Sequence, residues 1–127
     1  MRKTELTKKQ QKKFKWLIKA DTVNEDVEVS KFGDLIWKSG TWKYGIWKGG
    51  TWEGGTWKDG FWEYGIWEGG VWEDGFWENG TWEYGIWKGG TWEWGVWMGG
   101  FMWSNLKHKY IHVKWDEDKE EFEEDLK

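Results

Sequence analysis

A five-residue repeat that joins tryptophan to glycine runs through the middle of the chain and limits what the chain can fold into. Thirteen successive pentapeptides between residues 36 and 100 have Trp at the second position and Gly at the fifth. The first position is Ile, Thr, Val or Phe, and the third is Lys or Glu except at Met98. A period of five matches neither the helical period of 3.6 nor the strand period of 2.0. It fits a short extended stretch followed by a bend that ends in glycine, which tolerates positive φ.

A second period of twenty residues overlies the first. Tyr recurs at 44, 64 and 84, and pairs of glycine recur at the same spacing. Arrays of fixed period form repeat architectures in which each unit stacks on its neighbours. We therefore expect an all-β repeat, a four-sided β-solenoid with about 20 residues per coil. In such a coil Tyr44, Tyr64 and Tyr84 would form one column, a candidate interaction surface. Duplication of a twenty-residue unit is the alternative explanation of this echo.

The array resembles the pentapeptide-repeat proteins, with Gly at the small inward position and Trp at the large inward one, as in Gly45-Ile46-Trp47-Lys48-Gly49. The resemblance covers about half of the chain and implies a right-handed, four-sided β-helix. Trp stands where that family has Leu or Phe, and Ile, Thr or Phe stands where it has Asp or Asn. The array also resembles tryptophan-rich repeat proteins of phages and, loosely, the Gly/aromatic hairpins of MORN repeats.

A twisted β-meander of short, tryptophan-zipper-like hairpins is the alternative fold. Asn-Gly at 79–80 and Asp-Gly at 59–60 and 74–75 are signals for two-residue hairpin turns. A regular meander needs strands of even length, so three-residue strands would require bulges throughout. The four-sided solenoid has its own difficulty, because four Trp side chains need on the order of 650 Å³ and such a coil encloses roughly 500 Å³. The coil must then be wider, or some rings must point elsewhere.

The tryptophans of the array are expected to form the core. Thirteen exposed rings would present about 2,600 Å² of apolar surface, whereas the largest patch on a soluble monomer is roughly 300–600 Å². The predicted core ladder is Trp37, Trp42, Trp47, Trp52, Trp57, Trp62, Trp67, Trp72, Trp77, Trp82, Trp87, Trp92 and Trp97. The predicted turn residues are Gly40, Gly45, Gly50, Gly55, Gly60, Gly65, Gly70, Gly75, Gly80, Gly85, Gly90, Gly95 and Gly100.

The two ends of the chain differ from the array and are predicted to cap it. The predicted division is a basic N-terminal helix and cap at 1–35, the array at 36–100, and a C-terminal strand cap with an acidic tail at 101–127. Residues 1–19 carry eight basic residues against one acidic residue, a net charge of +7. Residues 116–127 carry eight acidic residues against two lysines, a net charge of −6. These segments are either solvated ends or a pair that meets within one chain or head to tail between chains.

Local patterns predict the elements of both ends. Residues 4–19 are expected to be helical, with a capping box that begins at Thr7. The sequence KYIHVKW at 109–115 alternates like a strand, and the spacing of Phe122 and Leu126 predicts a frayed helix in the tail.

Residues for catalysis or metal binding do not gather in the sequence. It contains no glycine-rich phosphate loop and no cysteine, and its two histidines show no spacing typical of a catalytic triad. His108, His112 and Asp116 could share one strand face, but that spacing is too wide for one zinc ion. We therefore expect no catalytic residues, no metal site, no cofactor and no enzymatic activity.

The sequence predicts a non-catalytic structural or protein-interaction protein, such as a phage accessory or virion component. Its expected partner is another protein or a second copy of itself. A carbohydrate-binding module with exposed Trp platforms is the alternative, so a glycan ligand remains open. Nucleic acid is not expected, because the array carries nine acidic and five basic residues. The apolar stretch at 14–18 is too short for a signal peptide or a membrane span, which predicts a cytoplasmic or virion-associated protein without membrane contact.

Overall fold

Parallel pairing between residues fifteen apart builds the array into a solenoid. A computed structural model describes residues 1–126 and is an all-β fold of stacked coils with short helices at its N-terminal end. Trp37 pairs with Trp52, and four such steps lead from Trp37 to Trp97, so the solenoid has about four turns. The predicted β-solenoid and N-terminal helical region are confirmed, and the parallel register excludes the antiparallel meander.

The strands of the array form three parallel stacks, which we name faces 1, 2 and 3. Face 1 contains the first part of β2 (Leu35–Tyr44), β4 (Thr51–Trp52), β7 (Ile66–Trp67), β10 (Thr81–Trp82) and β13 (Val96–Trp97). Face 2 contains the second part of β2, β5 (Thr56–Trp57), β8 (Val71–Trp72), β11 (Ile86–Trp87) and β14 (Phe101–Ser104). Face 3 contains β3 (Ile46–Trp47), β6 (Phe61–Trp62), β9 (Phe76–Trp77) and β12 (Thr91–Trp92).

Each coil therefore holds three pentapeptides, and the prediction of four sides with about 20 residues is wrong. Ring contacts explain the smaller number. Consecutive rings of one coil, such as Trp37, Trp42 and Trp47, lie 5.8 Å apart and meet edge to face. Three rings at this spacing touch one another around the axis, whereas four would leave opposite rings roughly 8 Å apart with a void between them. The expected volume conflict is resolved by wider sides, because ten of the array rings are fully buried inside the coil.

Two backbone hydrogen bonds and one glycine fix each pentapeptide. The N–H of Ile66 at the first position donates to the Gly50 carbonyl of the previous coil, and the N–H of Glu68 at the third position donates to Trp52. The thirteen predicted turn glycines all have φ between 104° and 142°. At Gly65 a Cβ would also lie 2.5 Å from the Gly50 carbonyl oxygen. Glycine is therefore required by both conformation and close approach.

Short helices and one strand cover the first coil. The helical region consists of a 3-10 helix (Lys3–Glu5), α1 (Lys8–Lys13) and α2 (Lys15–Lys19), with a break at Phe14, where φ is −108° and ψ is 46°. The capping box at Thr7 is present, since its hydroxyl accepts from the Gln10 N–H and its own N–H donates to Oε1 of Gln10. Strand β1 (Asp21–Val29) pairs antiparallel with β2.

The Trp16 ring packs the helices against the array. It lies 5.1 Å from the Trp47 ring and 6.5 Å from the Trp42 ring. Leu17, the next residue, is completely buried. No helix among residues 1–126 is long and apolar enough to cross a membrane.

An antiparallel meander covers the last coil. Strand β15 (Lys109–Asp116), predicted over 109–115, pairs with β14 and with β16 (Glu121–Glu124). The predicted frayed helix in the tail is wrong. In β16, Phe122 lies opposite Trp115 and packs 4.9 Å from the Trp97 ring, a contact that covers the end of the ring stack. Leu126 is exposed, and Lys127 lies outside the described residues.

Candidate functional site

The predicted core ladder lies inside the solenoid. Twelve of its thirteen tryptophans are buried, ten of them with no exposed surface, and Trp92 at the C-terminal end is half-buried. Rings fifteen residues apart stack face to face, with centroids 4.6–5.0 Å apart and planes within 7°. Rings five residues apart meet edge to face. Both arrangements are favoured by aromatic rings, so each ring supports up to four others.

The indole N–H groups use the backbone of the next coil. Nε1 of Trp57, Trp62, Trp72, Trp77 and Trp82 each donates to a fourth-position carbonyl seventeen residues later, at 3.0–3.1 Å. Within residues 1–126, five other buried Nε1 atoms have no hydrogen-bond acceptor; these belong to Trp37, Trp42, Trp47, Trp52 and Trp67. The ring faces and most indole N–H groups of the ladder are therefore inaccessible to a ligand. In this geometry the rings serve to pack the coils together.

The three predicted surface tyrosines do not form a column. Their side chains are exposed, Tyr44 by 64%, Tyr64 by 60% and Tyr84 by 50%. Since stacked neighbours are fifteen residues apart, Tyr44 lies above Asp59, and each tyrosine occupies a different edge of the three-sided coil. The expectation of one tyrosine surface is therefore wrong, and the twenty-residue echo is out of phase with the coil.

Charged third-position residues form ladders on the outside of the faces. Glu53, Glu68 and Glu83 follow stacked tryptophans of face 1 and so occupy successive coils. Partial burial, together with the negative charges of Glu83 and Glu53, raises the pKa of Glu68 above its ordinary value. Glu73 on face 2 instead follows Lys58 and precedes Lys88 in its ladder. The outside of the array is thus a pattern of like and opposite charges with no enclosed site.

Glu68→Gln is expected to stabilise the fold at pH 7 by a few tenths of a kcal/mol, because it removes one charge from a repulsive ladder. A carboxyl whose pKa is raised by folding stabilises the fold at low pH and loses that contribution as pH rises through the folded-state pKa. The gain should therefore vanish below about pH 4, where the wild-type carboxyl is protonated. Urea unfolding of the wild type and the variant at pH 7 and below about pH 4 measures this difference in the free energy of unfolding. Glu73→Gln is the matched control and should give no gain, and equal effects of the two changes would contradict this account.

A basic surface covers the N-terminal end of the solenoid, and we call it the basic end. It is an open groove of about 740 Å³ on the outside of α1 and α2, with Ile18 in its lining. Its exposed lysines are Lys8, Lys9, Lys12, Lys15 and Lys19. None of these five forms an ion pair with another residue in the described part of the chain.

An aromatic and acidic surface covers the opposite end, and we call it the acidic end. It is a groove of about 520 Å³ lined by Trp92, Trp94, Trp115, Glu93, Glu117 and Glu120. Trp94 is 70% exposed, the most of any described tryptophan. Sequence reasoning missed this site. The available signal was Trp94 itself, which stands at the fourth position where no other pentapeptide has Trp.

The histidine and serine side chains of the two ends form local contacts. Among residues 1–126, no group of three or more His, Asp and Glu side chains is arranged to hold a metal ion. His112 packs beside the Tyr84 and Phe101 rings, with Nδ1 3.6 Å from a carboxylate oxygen of Asp125. The Ser30 and Ser104 hydroxyls accept backbone N–H groups of their own loops.

Comparisons with protein-family models, with curated proteins and with solved structures give no match.

Proposed function

We propose that this protein is a non-catalytic structural or protein-interaction repeat protein, a rigid block whose outer side chains contact other proteins. One observation carries the proposal: twelve array tryptophans are buried against one another. The aromatic surface of the repeat is thus used for packing, and the outside of the faces offers Ile, Thr, Val, Lys and Glu side chains. Such a surface suits contact with a partner better than chemistry on a small molecule.

The ladder also supports a structural role because its rings are held by one another and by a repeating backbone pattern. Each inner ring stacks on rings of the coils before and after it, and the backbone bonds repeat at every pentapeptide. Stability in such arrays comes from interfaces between neighbouring units. The resemblance of the array to tryptophan-rich repeat proteins of phages favours a phage accessory or virion component, hence a cytoplasmic or virion-associated protein. No cofactor is part of this proposal.

A carbohydrate-binding module is the second candidate, and exposed tryptophans near the C-terminal end favour it. Trp94 is 70% exposed and Trp103 44% exposed, and Trp94 shares its groove with three glutamates. Flat aromatic faces beside carboxylates suit sugar rings. The candidate depends on these side chains and not on the buried ladder.

Tryptophan fluorescence distinguishes the two candidates. We expect blue-shifted emission of the native protein that acrylamide quenches poorly, and no saturable change with a panel of soluble polysaccharides. Trp94→Ala serves as the control, because it removes the most exposed ring without touching the ladder. A saturable change that Trp94→Ala abolishes would replace the proposed function with glycan binding.

A further inference from the structure

We propose that the basic end of one copy docks on the acidic end of a second copy, so that the protein assembles head to tail. The inference rests on the proposed function and deepens it by naming the partner. Three observations carry it: the placement of the two ends, the charges left without partners in each, and the match between their side chains.

The two ends cannot neutralise each other within one chain. The helices of the basic end pack through Trp16 on Trp42 and Trp47 of the first coil, and the acidic end packs through Phe122 on Trp92 and Trp97 of the last. About four coils with a rise near 5 Å separate them by roughly 20 Å. Charges at that distance are screened in solvent, where the Debye length is about 8 Å at physiological ionic strength. The intramolecular alternative for the charged segments is therefore wrong.

Each end keeps charges that its own cap does not satisfy. The ion pairs of the C-terminal cap are local and join Lys107 to Glu124 and both Lys114 and Lys119 to Glu123. Glu93, Glu117 and Glu120 of the acidic groove are exposed and form no ion pair with any residue in 1–126. The five exposed lysines of the basic end likewise form no ion pair with any residue in 1–126.

The two surfaces are complementary in chemistry as well as in charge. Lysine ammonium groups favour the faces of tryptophan rings, and a groove that combines Trp92, Trp94 and Trp115 with three carboxylates supplies both kinds of contact. In the reverse direction, Trp94 projects from the acidic end, and the basic groove offers Ile18 and the methylene stems of its lysines. The net charges of the segments, +7 at residues 1–19 and −6 at residues 116–127, favour rapid association at low salt.

Because the two surfaces differ and lie at opposite ends, their contact does not close on itself. A heterologous contact of this kind adds copies in one direction. The expected product is an open row of copies whose length depends on protein concentration and on salt.

Sedimentation velocity of the full chain tests this contact. The wild-type average mass should rise as protein concentration increases from about 5 to about 200 μM in about 50 mM NaCl, and should return to the monomer mass in about 500 mM NaCl. Lys9→Glu with Lys12→Glu reverses charge at the basic end, and Glu117→Lys with Glu120→Lys reverses it at the acidic end. Each double variant alone should associate at least about tenfold more weakly than wild type.

An equimolar mixture of the two double variants makes the test specific. The variant altered at the basic end keeps a wild-type acidic end, and the other keeps a wild-type basic end, so the mixture should form one wild-type contact and reach the dimer mass. Unchanged circular dichroism and tryptophan emission confirm that each variant is folded. A wild-type monomer under all conditions, or two folded double variants that stay monomeric when mixed, overturns the inference. So does a wild-type monomer whose mass shifts only when a DNA duplex is added, since the basic end then serves a polyanion. If the protein is monomeric and binds no polysaccharide, only the head-to-tail contact is contradicted. If it binds polysaccharide saturably, the proposed function itself is contradicted.

Discussion

Gly70→Ala is expected to lower the free energy of unfolding by about 3 kcal/mol or more, enough to lower Tm by about 10 °C. The φ of Gly70 is +109°, which an alanine rarely adopts, and its Cβ would overlap the Gly55 carbonyl oxygen. That oxygen accepts a hydrogen bond from the N–H of Val71, so the coil cannot move it away without losing a backbone contact. Urea and thermal unfolding measure the loss.

The adjacent glycine is a matched control. A Cβ at Gly69 would lie 3.6 Å from the Glu53 carbonyl oxygen, an ordinary van der Waals distance, and Gly69 does not have a positive φ. Gly69→Ala should therefore change the free energy of unfolding by no more than about 1 kcal/mol, with stabilisation expected from the less flexible unfolded chain. Similar losses of unfolding free energy at both positions would contradict the requirement for glycine at the fifth position.

Trp67→Ala is expected to cost about 5 kcal/mol, near the whole stability of many domains. The Trp67 ring is completely buried and stacks between Trp52 and Trp82, 4.8 and 4.9 Å away. It also meets the rings of Trp62 and Trp72 edge to face at 5.9 Å. Alanine leaves a cavity at the axis and removes four aromatic contacts. Guanidinium unfolding, followed by circular dichroism because the change alters fluorescence, measures the effect.

Trp94→Ala is the control for this loss. The Trp94 side chain is exposed, and its hydrogen bonds to Trp77 and Glu78 use backbone atoms that alanine retains. The free energy of unfolding should change by less than about 1 kcal/mol. If Trp67→Ala lowered the free energy of unfolding as little as Trp94→Ala, the buried rings would not be the main source of the solenoid's stability.

The sequence was sufficient to predict a solenoid but not the size of its coil. The period of five and the apolar area of thirteen rings both favoured a stacked β fold with buried tryptophan. Because every pentapeptide has the same bend, that period is compatible with any number of sides. The number is set by how Trp52, Trp57 and Trp62 meet around the axis, which is a packing property. The tyrosine spacing pointed to twenty residues, although no structural repeat has that length.

The ends were harder to predict because their structure depends on the array. Phe122 and Leu126 have helical spacing, yet Phe122 lies on a strand, where it reaches Trp97 and Trp115. The acidic groove likewise combines Trp94 from the array with Glu117 and Glu120 from the cap. Local patterns cannot show that these segments meet. The capping box at Thr7, which needs only neighbours in sequence, was predicted correctly.

A coil of three equivalent pentapeptides makes length and orientation change together. Inserting or deleting one pentapeptide preserves the ring stacking but turns everything after it by one face. A duplicated unit of twenty residues adds one full coil plus one face, so the acidic end rotates by a third of a turn relative to the basic end. Three such units and four coils both contain sixty residues, and only then does the original orientation return. Each duplication would thus change the angle between successive copies in a row by a third of a turn, so only three angles are possible.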